Sequence, residues 1–211
     1  MRLTVFGATG GTGRCLVEQA LAAGHDVTAV VRDPTRLTVP PHARLHAVTA
    51  DVMDPVAIAP AVDGADAVVS ALGPRGTGPT SISEDSTRSI IEAMEKCGAR
   101  RLVTVSGSIV DDTGCGFLMH RVIKPLARRT FLRNVGADMG RAEHVVHASD
   151  LHWTIFRPPR LTDKPASGSY RTAIDRNPPR GVTISRADLA AEILARLDDP
   201  ATSHKHLFIA N

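Results

Sequence analysis

Aromatic residues make up only 3% of this chain, with one tryptophan and one tyrosine in 211 residues. Stacking surfaces for nucleic-acid bases need aromatics interleaved with basic residues, so no nucleic-acid partner is expected. No apolar run approaches the ~18 residues of a membrane-spanning helix, which sets the integral-membrane classes aside. The three cysteines, Cys15, Cys97 and Cys115, form no closely spaced pair. They fit free thiols in a reducing compartment better than a disulfide framework. The net charge of +3 suits anionic ligands without calling for a polyanion. A strand and a glycine loop starting at residue 2 are expected to be part of the folded domain, not a cleaved leader, and a cytoplasmic location is expected with them.

What the chain does have is an alternating beat of β-rich and helical segments. Apolar residues reach 43% over a length that suits one α/β core, so residues 1–211 are read as a single domain. The first segment carries most of the information. Arg2-Leu-Thr-Val-Phe6 is rich in β formers and runs into Gly7-Ala-Thr9-Gly10-Gly11-Thr12-Gly13, followed by a helical pattern at Leu16-Val17 and Ala20-Leu21. A strand, a glycine turn and a helix in succession make a dinucleotide cradle. Gly7 permits a turn with positive φ. Gly10 lets the backbone approach a pyrophosphate, Gly13 lets the helix pack close to the strand, and the free N–H groups at the helix start face the anion.

The second strand, Asp26–Val31, is nearly continuous in apolar and β-branched residues, as buried parallel strands are. It ends in Arg32, with Arg36 one turn later. A carboxylate at this position would accept from the ribose hydroxyls of NAD, whereas a guanidinium fork matches a 2′-phosphate. The sequence therefore favours NADP(H) over NAD(H). Thr12 offers a further hydroxyl, and Asp33 before Pro34 reads as a turn cap.

Further strands are expected at 44–48, 65–70, 101–105, 152–156 and 206–209. Helices are expected from 54, over 81–97, near 115–133 and 138–149, and from a cap at Ser185 to about Leu197. Alternating strands and helices imply a Rossmann-type, doubly wound parallel sheet with right-handed crossovers and helices on both faces. Ligands of such sheets bind beyond the carboxyl ends of the strands. That rim gathers Gly7–Gly13, Arg32, Asp51-Val52, Ala71–Arg75, Ser106–Ser108 and Pro158–Arg160.

These rim segments carry a resemblance to a family. The chain resembles the atypical short-chain dehydrogenase/reductases, close in pattern to biliverdin-IXβ reductase/flavin reductase and to bacterial NmrA-like NAD(P)H-binding proteins. The likeness rests on Phe6–Gly13, Val31-Arg-Asp33 with Arg36, Ala50-Asp-Val52, Gly64–Val68, Leu72-Gly73, Val105-Ser106, Trp153–Pro158, Leu161-Thr-Asp163 and Ile184–Asp188. It implies that Gly7, Thr9, Gly10, Gly11, Thr12 and Gly13 hold the pyrophosphate side, with Thr12, Arg32 and Arg36 at the 2′-phosphate. Asp51 and Val52 would lie by the adenine, and Ala71, Leu72, Gly73, Ser106 and Pro158 would border the nicotinamide and its ribose.

One departure bears on mechanism. Ordinary short-chain dehydrogenases carry a Tyr-x-x-x-Lys acid, whereas the corresponding segment here reads Val135-Gly-Ala-Asp-Met139 and the only tyrosine is Tyr170. Two readings follow. One is an NADPH-dependent reductase that passes hydride to a flat small-molecule acceptor such as a flavin, a biliverdin-like tetrapyrrole or a quinone, and so needs no tuned acid. The other is a non-catalytic NADP(H)-binding redox sensor that acts through a protein partner. An epimerase-type relative is disfavoured by the missing pair. Ser106 and Ser108 are the candidate positioning hydroxyls, and Arg75 and Arg160 the candidate substrate contacts. Glu143-His144-Val-Val-His147 has two histidines at helical spacing but no evident third ligand, so no metal site is expected. A basic amphipathic helix over 117–133, within an insertion at about 111–137, reads as a packing helix with a solvated face. A monomer or homodimer is expected.

Overall fold

The computed structural model describes residues 1–74, 76, 78–110, 113, 133–179 and 181–211. In chain order the elements begin β1 (Arg2–Phe6), α1 (Gly11–Ala22), β2 (Asp26–Val31), β3 (Leu45–Thr49), α2 (Pro55–Val62) and β4 (Ala67–Ser70). They continue with α3 (Ile82–Cys97), β5 (Arg101–Val105), α4 (Arg133–His147), β6 (His152–Arg157), β7 (Arg160–Thr162) and β8 (Arg171–Ile174). The last are β9 (Thr183–Ser185), α5 (Arg186–Ala195) and β10 (Lys205–Ala210). An 8-stranded sheet has the order β3-β2-β1-β4-β5-β6-β10-β8, and β7 pairs with β9 apart from it. The first seven strands of that order run parallel, and β8 adds an antiparallel edge against β10. This is the expected Rossmann-type doubly wound α/β sheet. Among the described residues no helix is long and apolar enough to cross a membrane.

The apolar run of β2 is explained by helices on both sides. Val27, Ala29 and Val31 join one core with Leu16, Val17 and Leu189, and Val30 joins the other with Ile58 and Val62. Helices α1 and α5 cover the first face; α2, α3 and α4 cover the second. Asp54 caps α2 as expected, accepting from the backbone N–H groups of Val56 and Ala57. The cap of α3 comes from elsewhere: buried Asp138 on α4 accepts from Ser83 N at 2.9 Å and Glu84 N at 3.2 Å.

Two expectations need adjustment. Helix α4 already includes Arg133, ahead of the 138 read from the pattern. The short strands β7, β8 and β9 are additions, because three- and four-residue strands carry too little alternation to read. The basic helix over 117–133 lies outside the described residues except for Arg133, as does the insertion at 111–137 apart from Thr113 and 133–137.

One junction fixes the chain beside the sheet's carboxyl edge. Asp188 is buried at the start of α5. Its carboxylate accepts from Ser167 N, Gly168 N, Ser167 Oγ and Ser185 Oγ, while Ser185 Oγ accepts from Asp188 N. Burial alone would raise the Asp188 pKa, but the hydrogen bonds from Ser185, Gly168 and Ser167 outweigh it and hold the carboxyl below its usual value. A depressed carboxylate stabilises the fold above its unfolded value of ~3.9, and that contribution is lost as pH falls through the lower folded value. Asp188→Ala should therefore cost about 3 kcal/mol in urea unfolding at pH 7, given ~1.5–3 kcal/mol per charged hydrogen bond and their non-additivity. Asp188→Asn should cost less and should flatten the loss of stability below pH ~4. An unchanged acid limb in the Asn variant would contradict this account.

Candidate functional site

The strand order reverses between β1 and β4, so the loops that leave them part to form a crevice. Those two loops are in contact. Ala71 N donates to Phe6 O at 3.0 Å, and a Cβ on Gly7, whose φ is +81°, would lie 2.7 Å from Ala71 O. At residue 13 a Cβ would stand 2.1 Å from Gly7 O. Helix α1 can begin this close to β1 only with glycine there. Gly10 N donates to Gly7 O at 2.9 Å, and Gly10 itself is exposed in extended backbone, with Gly7 O at 3.2 Å as the one atom near its missing side chain. Among the described residues no side chain caps α1, and its first turn contains no acidic residue. Its leading N–H groups are open to an anion. The cradle that a Cβ would fill fits the pyrophosphate of a dinucleotide. Thr9 is half-buried in this loop, Gly11 exposed and Thr12 buried.

At the end of β2, Arg32 and Arg36 are exposed, and among the described residues neither forms a salt bridge. Asp33 is committed locally: its side chain accepts from Thr35 Oγ at 2.6 Å and Thr35 N at 3.0 Å, and these bonds hold its carboxyl below the usual value. It caps the turn Pro34–Arg36, as the sequence implied. Asp51 is exposed, accepts from Met53 N and is followed by half-buried Val52, beyond β3 on the same rim.

Across the crevice, Ala71 and Leu72 are half-buried and Gly73 exposed. Ser106 N donates to Phe156 O at 2.8 Å and Ser108 N to Pro158 O at 2.9 Å, which zips the chain leaving β5 to the end of β6. The Ser106 hydroxyl is buried and has no hydrogen-bond partner among the described residues. It lines a small cavity with Ser70, Ser83, Thr104, Met139 and Glu143. Arg160 is exposed at the start of β7, and Arg75 lies outside the described residues. Tyr170 cannot stand in for the missing acid: its hydroxyl donates to Glu192 at 3.0 Å, and burial together with that bond pushes its pKa up to about 12.

One group at the cradle was missed from sequence. Arg186 lies across Gly11, with its Nε 2.8 Å from where a Gly11 Cβ would stand, and its Nη1 meets Asp163 at 2.7 Å. The sequence singled out Leu161–Asp163 and Ser185–Asp188 as separate motifs. The β7–β9 pairing and this ion pair make them one unit resting on the glycine loop.

The glycines are expected to separate folding from binding. Gly10→Val should stay folded, at a cost of about 1–2 kcal/mol, because the one tight contact of its Cβ is with Gly7 O at 3.2 Å and Gly10 is otherwise exposed. It should lose NADPH binding in calorimetry. Gly13→Ala should destabilise the fold by about 3 kcal/mol or more, since no side chain fits against the Gly7 carbonyl. A folded Gly10→Val variant with unchanged affinity would mean that the loop is only a turn.

A family model described as NAD(P)H-binding matches residues 7–200. A Bacillus subtilis protein named as an uncharacterized sugar epimerase is 28% identical, across 97% of this chain and 92% of its own. A 3-diazoavenalumate denitrifying reductase from Streptomyces is 37% identical over 118 residues, 50% of this chain and 38% of that protein. In fold, a short-chain dehydrogenase/reductase from Veillonella parvula in complex with NADP superposes with a TM-score of 0.83 at 19% identity, covering 100% of this chain and 94% of that one. These similarities agree with the resemblance read from the sequence motifs. With nearly the whole chain matched and the glycine crevice at its switch point, the protein belongs to the NAD(P)H-binding family.

Proposed function

We propose that the chain is an NADPH-dependent reductase that delivers hydride to a flat acceptor such as a flavin, a biliverdin-like tetrapyrrole or a quinone. The observation that carries the cofactor choice is the pair of exposed arginines after β2, free of ion pairs among the described residues, with the neighbouring carboxylate of Asp33 tied to Thr35. Arg32 and Arg36 offer N–H forks to a 2′-phosphate, and Arg186 adds positive charge over the pyrophosphate cradle. The bound cofactor supplies the hydride. The protein binds and orients: Ala71–Gly73 and Pro158 form the acceptor side of the crevice, the backbone after β5 is pinned through Ser106 and Ser108, and Arg160 lies within the same rim. No tyrosine–lysine acid is in the sequence, which suits an acceptor whose reduced anion is tolerable near neutral pH. Positioning by itself can account for ~7–11 kcal/mol of a barrier. The partial likeness to a reductase named for its reductive chemistry supports the same reading. Where an epimerase-like relative stands against it, the missing acid–base pair weighs toward reduction.

NADPH is expected to bind more tightly than NADH, and Arg32→Ala/Arg36→Ala should weaken NADPH by roughly ten- to a hundredfold while changing NADH little. Equal wild-type affinities would overturn the cofactor assignment. With FMN as acceptor, kcat should vary little between about pH 6 and 8, and Ser106→Ala should lower it only modestly. A loss above ~10³-fold in that variant would mark an essential acid–base or oxyanion group instead. Tight NADPH binding without turnover on FMN, FAD, quinones or biliverdins would replace the reductase with the redox sensor.

A further inference from the structure

Away from the crevice, imidazoles gather where α4 ends against β6 and β10. His147 Nε2 and His206 Nε2 stand 2.9 Å apart. Glu143, one helical turn before His147, brings a carboxylate into the group, and the three ligand atoms all lie within 4.8 Å of one another. The sequence paired His147 with His144 and gave no third ligand; the structure pairs it instead with Glu143 and a remote residue. Strand β10 supplies it. Its register with β6 places His206 opposite Ile155, on the sheet face that α4 covers, where Trp153 meets both imidazoles at ring-centroid distances of 4.9 and 5.4 Å.

We propose that Glu143, His147 and His206 form a binding site for a divalent transition metal of the zinc class, with a further position open to water. Two imidazoles and a carboxylate are the donor set that suits this ion, and three protein ligands leave one tetrahedral position free. Metal–ligand bonds of ~2.0–2.1 Å set tetrahedral ligands roughly 3.3 Å apart. The two nitrogens need to part by a few tenths of an ångström, and the ligand atoms, now within 4.8 Å of one another, to close on that spacing.

The surroundings hold these donors in place. Arg157 grips Glu143 in a buried fork, Nε to Oε1 at 3.1 Å and Nη2 to Oε2 at 2.5 Å. A carboxylate has about four lone-pair directions, so the fork leaves two for a metal. Asp175 Oδ1 accepts from His206 Nδ1 at 3.4 Å and from His206 N at 3.1 Å. That partner selects the tautomer with a bare Nε2, as carboxylates behind metal-bound histidines do. Burial lowers both histidine pKa values, with the neighbouring His206 adding to the effect on His147 and Arg157 to that on His206. Burial therefore favours the neutral rings, the form that binds metal. His147 is exposed, which gives the ion an entry path.

Calorimetric titration of the full chain with Zn²⁺ at pH 7 tests the proposal. One ion per chain is expected, with affinity falling at least about a hundredfold in His147→Ala and in His206→Ala, and by roughly ten- to a hundredfold in Asp175→Asn. His42→Ala, on another surface, should bind as wild type does. The histidine variants are preferred to a Glu143 substitution, which would strand buried Arg157. Retained NADPH affinity in each variant reports that it is folded. Zn²⁺ at a hundredfold above Kd should raise Tm by roughly 5–10 °C in wild type only. Co²⁺ should give a visible ligand-field band that vanishes in both histidine variants. No binding by the wild type, or binding that survives both histidine substitutions, overturns the site and leaves His147–His206 as a plain hydrogen bond.

Discussion

The carboxyl edge of the sheet depends on how near α1 starts to the end of β1. The backbone at Gly13 sits against the Gly7 carbonyl with no room for a single carbon. That proximity sends Leu16, Val17, Ala20 and Leu21 down onto the sheet as a buried stripe, and it aims the open N–H groups of the first turn into the crevice. It also sets where the loop after β4 can run, because Ala71 closes against Gly7 from the other side. Glycine in this setting costs about 0.5–1 kcal/mol per position in chain entropy. Burial of the four apolar side chains, worth ~1.5–3 kcal/mol for each Leu or Val, more than offsets it.

Around that constraint the chain assembles a cationic rim. Arg32 and Arg36 come from the turn after β2, and Arg186 from the start of α5, more than a hundred residues later in the sequence. Arg186 is held by Asp163 while the Asp188 carboxylate fastens Ser167 and Gly168 beside it. The C-terminal third of the protein thereby becomes part of the glycine crevice. A net charge of only +3 conceals this gathering of arginines beside the glycine crevice.

Both faces of the sheet carry buried polar groups beside their apolar cores. On the side covered by α1 and α5 these are Thr12, Ser185, Asp188 and Glu192. The side covered by α3 and α4 mixes its core with Ser83, Ser86, Thr87 and Ser89, with Asp138 and with the Arg157–Glu143 pair, all buried. A buried ion pair adds little net stability over an apolar substitute, but it fixes geometry, since either partner left alone is costly. Here it ties the end of β6 to α4 below the chain that carries Ser106 and Pro158. The same carboxylate is the member that the proposed metal site shares with the interior.

The sequence by itself determined the elements whose physics is local. The glycine spacing, the continuous apolar strands, the Asp54 and Ser185 caps and the guanidinium at the end of β2 were all legible, because each depends on neighbours within a turn or a strand. Together they specify the doubly wound sheet and the glycine crevice. The short strands β7 to β9 were not legible, since three or four residues show no period and their pairing is non-local. Only the tertiary structure decided the rest. It laid Arg186 over Gly11, closed Ser106 into the interior, capped α3 with Asp138 from another helix, and set His206 against His147 across 59 positions of chain. These contacts join segments remote in sequence, and packing of two faces onto one twisted sheet is what brings them together.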